Sequence, residues 1–174
     1  MPYFETNAKG VYVVGDASGK YMLQHAAAYE VNHLGKILLE ECTEPLHFKY
    51  MPHAVFTEPE IASVGITEQK AKEKNIKYVT STTNWLASAK AMSTRLHYPV
   101  TKFLINPDNY EILGCHMIGP ESSTMMHQVL AVMHINNDVI HIKEMLYIHP
   151  ALSEALLPAA VAAVKEVEKY NKKS

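Results

Sequence analysis

His149, Pro150 and Glu154 carry the clearest chemical signal in the chain, because their order places an imidazole just ahead of a helix and a carboxylate inside its first turn. Pro150 pushes His149 out of helical geometry and pre-sets the backbone for a helix that begins directly afterwards. Glu154 then sits where the helix dipole favours an anion, within reach of one ring nitrogen. Such a contact fixes the tautomer and leaves the other nitrogen for proton transfer. The same spacing suits a simple helix start with Glu154 complementing the dipole, and spacing alone leaves both readings open. A second candidate is Gly15-Asp16, which follows the apolar run Val11-Tyr12-Val13-Val14 and precedes Met22-Leu23-Gln24-His25. A carboxylate at the end of a buried strand lies where open α/β sheets bind ligands, and Gly15 permits close backbone approach. Asp16 can accept a hydrogen bond from a sugar or polyol hydroxyl there, although aspartates at such points also form turns and helix caps.

These residues need elements to hold them. Val11–Val14 reads as a short buried strand ending in turn formers, and apolar residues at 27, 31, 34 and 38 predict a helix from Gln24 to about Glu41. Pro45 and Pro52 interrupt the pattern and mark a junction between two domains, 1–45 and 46–174. Beyond it, strands are expected at 53–56, 61–65, 78–83, 101–105 and 112–118, with Asn106-Pro107-Asp108-Asn109 closing a hairpin between the last two. Helices are expected at 68–74 after the cap Thr67, at about 122–136 and at about 151–170. Strands first and helices late make an α+β domain, an antiparallel sheet with flanking helices, preceded by a strand-helix remnant of an α/β domain.

Composition narrows the function. The 174 residues with 48% apolar content fill one domain core with a modest appendage. Sixteen Lys and Arg against eighteen Asp and Glu leave no electrostatic footprint for nucleic acid or an anionic membrane. Cys42 and Cys115 lie too far apart for a local redox disulfide or a zinc framework, and both read as buried thiols. No apolar stretch approaches the length of a membrane span, and the first residues lack a signal core, so a cytoplasmic location is expected. His127, His134 and His141 recur every seven residues, which sets them about 10 Å apart on a helix, too far for shared metal ligation. No metal site is expected.

The blocks together resemble the C-terminal portion of the class I pyridine nucleotide-disulfide oxidoreductases. Gly10–Asp16 with Met22–Ala27 is similar to the family's second flavin motif, Val55–Glu68 to the opening of its dimerisation domain, and Ile112–Pro120 to a later block of that domain. Tyr147–Glu154 matches the signature His-Pro-x-x-x-Glu. This resemblance implies that Asp16, next to Gly15, holds a ribityl hydroxyl of FAD, and that Met22, Leu23, Gln24 and His25 run along the pyrimidine side of the flavin. Met22 and Leu23 are equally compatible with core packing at a helix start. It further implies that His149 reaches into the partner subunit's active site of a homodimer, exchanges protons with the interchange thiol, and is oriented by Glu154.

Met-Leu-x-His is closest to the lipoamide dehydrogenase version. Tyr147, however, stands where those enzymes usually carry a second histidine, and Ile148 looks more like the glutathione and mycothiol branches. The chain contains no GxGxxG fingerprint, no CxxxxC disulfide and no second nucleotide domain for NAD(P)H. The expected role is therefore the dimerisation and acid/base module of an FAD-dependent disulfide reductase, incomplete for turnover alone. A non-catalytic dimerisation scaffold, and a glutathione- or mycothione-type reductase fragment, are the alternatives.

Overall fold

Short runs of β-branched and aromatic residues dominate the chain after residue 52, and there they pair into one sheet. The computed structural model describes residues 4–40 and 42–173 and divides the chain into two compact units, Met1–Met51 and Pro52–Ser174. The helices are α1 (Gln24–Leu39), α2 (Glu68–Glu73), α3 (Ala89–Ser93), α4 (Ser122–Ile135), α5 (Val139–Glu144) and α6 (Leu156–Asn171). The strands are β1 (His53–Val55), β2 (Ile61–Gly65), β3 (Val79–Asn84), β4 (Val100–Ile105) and β5 (Ile112–Ile118). All pairings are antiparallel, in the order β1-β2-β5-β4-β3, as expected for an antiparallel sheet with flanking helices.

Register decides what is buried. Phe103 stands opposite Cys115, Thr101 opposite Met117, and on the other side of β5 Val64 and Ala62 face the same two residues. Alternate residues share a face, so these side chains form one layer, and all are buried. The Thr101 hydroxyl, a polar group in that layer, accepts the indole N–H of Trp85 at 2.8 Å. Burial also pushes the Cys115 thiol well above its usual range, so it stays protonated.

α4 runs along β2 and β5, α6 along β3 and β4, and α5 packs against both helices. α6 buries Leu156, Ala159, Ala160, Ala163, Val164 and Val167, a single face at helical spacing whose alanines let the helix lie close to the sheet. α4 buries the expected face: Met125, Met126, Val129, Leu130, Val132 and Met133. α2 starts at Thr67, whose hydroxyl accepts the Lys70 N–H at 3.2 Å.

Several expectations are corrected. The predicted helix over 151–170 is two pieces, a 3₁₀ turn at Leu152–Ala155 and then α6. Pro158 has no N–H to give the Glu154 carbonyl, so α-helical bonding stops running backwards at that point. α3 and α5 were not anticipated; both are short and begin at side-chain caps, Ser88 and Asp138. In the first unit Val11–Val14 is not a buried strand. Val11 is 52% exposed, and the stretch pairs with the residues just before it, through one bridge between Glu5 and Tyr12 and backbone bonds from Thr6 to Val11, Val11 to Ala8 and Val13 to Phe4. A strand is buried by neighbours on its faces, and here they leave Val13 and Val14 only half-buried. On α1, Val31 and Leu38 are exposed while Ala26 and Glu30 are buried. Cys42 is half-buried.

Candidate active site

Pro150 and Pro158 bracket the segment that carries Glu154, and His149 stands directly before it. Between the end of α5 and the 3₁₀ turn the chain runs extended, and His149 projects from it with 68% of its side chain exposed. Ala151 is the residue before the 3₁₀ turn, and Glu154 lies in the turn's first residues. The Glu154 carboxylate uses one oxygen to accept the Ala151 N–H at 2.8 Å and the other to contact His149 Nδ1 at 2.8 Å. A carboxylate of this kind only accepts, so Nδ1 carries the hydrogen and Nε2 presents its lone pair outward. Nε2 has no hydrogen-bond partner among the described residues. The Ala151 N–H, and after it the His149 ring, hold the Glu154 carboxyl below its usual value. The arrangement is an oriented imidazole with one free nitrogen and a permanent negative partner, the geometry of a general acid/base.

The segment's neighbours fix it in place. Tyr147, noted above as the departure from the lipoamide dehydrogenase pattern, is half-buried and donates its hydroxyl to the Ile142 carbonyl at 2.8 Å. Burial pushes that hydroxyl up to about 12, so it remains a donor. The exposed apolar residues Leu146 and Ile148 stand on either side of Tyr147 in the chain, just before His149.

In the first unit, Gly15 opens a 3₁₀ turn over Gly15–Ser18 that packs on α1. Its φ is +67°, and a Cβ there would stand 3.2 Å from the Ala27 side chain, so only glycine fits without displacement. The Gly15 N–H donates to the buried carboxylate of Glu30 at 2.6 Å. Asp16 is exposed, and its carboxylate accepts no hydrogen bond among the described residues. Met22, Leu23, Gln24 and His25 lead into the first turn of α1, with Leu23 as the residue before the helix. Met22 is 75% exposed, so core packing does not explain it. A free carboxylate beside a helix start suits a polyol hydroxyl; no comparable cradle for a pyrophosphate lies among these six residues.

Two groups escaped the sequence. Glu30 is a charged residue four positions after Ala26 on the buried face of α1, a spacing that flags it only once that face is known. Ser88 is buried and donates to the Ala151 carbonyl at 3.1 Å; the pattern Ser followed by Ala-Lys-Ala-Met is the cap that could have revealed α3. Three other histidines bond groups of the surrounding fold. His116 donates from Nε2 to the Ile66 carbonyl and accepts from Ser63, each at 3.1 Å, and burial lowers its pKa. His127 and His134 bond carbonyls of their own helix, at Ser123 and Leu130. Among the described residues no three His, Cys, Asp or Glu side chains gather around a common point, and no helix is long and apolar enough to cross a membrane.

Comparison with known proteins completes the picture. The family described as the pyridine nucleotide-disulphide oxidoreductase dimerisation domain matches residues 51–160. Dihydrolipoyl dehydrogenase 2 of the Arabidopsis thaliana chloroplast is 34% identical over 153 residues, covering 84% of this chain and 26% of the relative. Dihydrolipoyl dehydrogenase 3 of Haloarcula marismortui is 29% identical over 155 residues, covering 89% and 32%. The chain thus spans about a third of the length of the relatives it matches. Among solved structures, the HOCl-induced flavoprotein disulfide reductase RclA of Escherichia coli superposes with a TM-score of 0.86 at 22% identity, covering 92% of this chain and 37% of its own. LpdA of Mycobacterium tuberculosis superposes at 0.82, also at 22% identity, covering 92% and 35%. These structures share the fold, and the match over 51–160 carries the assignment: the chain belongs to the pyridine nucleotide-disulphide oxidoreductase dimerisation-domain family.

Proposed function

We propose that the chain supplies the dimerisation and acid/base module of an FAD-dependent NAD(P)H:disulfide oxidoreductase, most like dihydrolipoamide dehydrogenase. On this reading residues 1–45 are the end of the FAD-binding domain, residues 46–174 form the interface domain, and two copies make a homodimer. The observation that carries it is the 2.8 Å contact between His149 Nδ1 and Glu154, with Nε2 left open on an exposed ring. Nε2 accepts a proton from a thiol as it becomes the attacking thiolate, and returns one to the thiolate released when a disulfide opens. Glu154 holds the ring in the tautomer that makes this possible and stabilises the imidazolium while it lasts.

FAD, when bound, supplies the electron relay between nicotinamide and disulfide. Gly15 brings the backbone close, the free Asp16 carboxylate takes a ribityl hydroxyl, and Met22, Leu23, Gln24 and His25 line the pyrimidine side. Tyr147, tied to Ile142 where lipoamide enzymes usually have histidine, supports a low-molecular-weight disulfide as a second substrate reading.

Reconstitution tests the proposal. The purified chain alone is expected to show no flavin absorption and no turnover. Mixed with the FAD- and NAD-binding portion of a family member, with FAD and NADH, it restores reduction of lipoamide or of a small disulfide. Absence of turnover in every combination would favour a non-catalytic scaffold.

A further inference from the structure

A buried hydroxyl is linked to the His149–Glu154 pair through Ala151 without touching either residue. Ser88 is 2% exposed and sits on a 3₁₀ turn, Trp85–Ala87, that Trp85 locks into the core: its indole N–H is on Thr101, and its backbone carbonyl accepts the Ser88 N–H at 2.9 Å. From this rigid platform Ser88 Oγ donates to the Ala151 carbonyl at 3.1 Å. That carbonyl also receives the Glu154 N–H at 3.3 Å, and the Ala151 N–H in turn reaches the Glu154 carboxylate at 2.8 Å. Ala151 is thereby clamped on both its peptide groups, and Glu154 is pointed at Nδ1 of His149. Among the described residues the Glu154 contact alone selects the tautomer of the exposed imidazole, so whatever aims Glu154 governs that choice.

We propose that Ser88 is a positioning residue for His149: by fixing Ala151 it aims Glu154 and holds the ring in the Nδ1–H form that leaves Nε2 free. The inference rests on the acid/base reading of His149, and deepens it by naming a residue 61 positions away in sequence that sets the pair's geometry. The hydroxyl has a second task, accepting the Ala91 N–H at 3.4 Å as the cap of α3, so loss of a helix cap must be separated from loss of the clamp.

Ring-nitrogen NMR of His149 in the full chain, at a pH where the imidazole is neutral, reads the tautomer directly and independently of turnover. Ser88→Ala is expected to lower the ratio of Nδ1–H to Nε2–H by about threefold or more, within what the loss of one hydrogen bond can produce. Ser88→Thr, which returns the hydroxyl, is expected to restore the ratio. Thr67→Ala removes a cap of the same kind from α2 and is expected to leave it unchanged. A wild-type ratio in Ser88→Ala, or an equal shift in Thr67→Ala, would overturn the inference. Failure of the acid/base reading shows elsewhere, as unimpaired disulfide turnover in His149→Gln.

Discussion

Both oxygens of Glu154 are engaged, one by a backbone N–H and one by an imidazole, and that double engagement makes the residue sensitive to pH in a particular direction. Folding lowers its carboxyl below the usual 4.5, mainly through the Ala151 N–H and then through His149. A depressed carboxylate stabilises the fold fully above its unfolded value and loses that contribution as pH falls through the folded one. Urea unfolding should therefore separate wild type from Glu154→Gln at neutral pH, with the gap between midpoints narrowing as the pH drops below 4.5. A gap that stayed constant through that range would show that the carboxylate's charge contributes nothing. His149 and Glu154 were legible in the sequence because a proline announces its effect on the residue before it. Ser88 and Glu30 were not, since each acts on a backbone group brought near only by the fold, Ala151 in one case and Gly15 in the other.

Elements were readable where their pattern is local. The strands of the second unit declared themselves by β-branched runs, and α4 and α6 by apolar residues at helical spacing, because the face each buries is repeated several times. Val11–Val14 has the same composition as a core strand, but burial of a strand depends on residues distant in sequence. α3 and α5, with five and six residues, are too short to show a period. Between β5 and α4, Gly119 makes a contact no pattern reveals: a Cβ there would lie 2.7 Å from the Trp85 ring and 2.9 Å from Pro99. Trp85 is the platform under Ser88, so Gly119→Ala should displace it and cost about 1–3 kcal/mol, the usual penalty of overpacking a core. The chain's single tryptophan reports on this directly, and unfolding followed by its fluorescence should show a lowered midpoint. An unchanged midpoint would mean that the ring moves without cost.

Leu146 and Ile148, exposed in the segment just before His149, suit a surface that is covered in an assembly rather than left in water. Isologous pairing through the late helices is the arrangement expected for this family's dimerisation domain, and sedimentation of the isolated chain should show a dimer at high micromolar concentration; monomer alone would contradict it. Fold class and family were recoverable from sequence because matching blocks run through nearly the whole chain, whereas the disulfide substrate was not, because Tyr147 departs from the lipoamide pattern while Met22–His25 keeps it. The module's proposed contribution is proton transfer in disulfide exchange. Rapid mixing of the reconstituted flavoenzyme tests it most directly, by timing its two half-reactions separately. In His149→Gln the disulfide half-reaction should slow by about 10²-fold or more, the contribution of a positioned acid/base, while hydride transfer from NADH to flavin changes far less. A disulfide half-reaction at the wild-type rate would contradict the account and leave His149-Pro150 as the start of a helix.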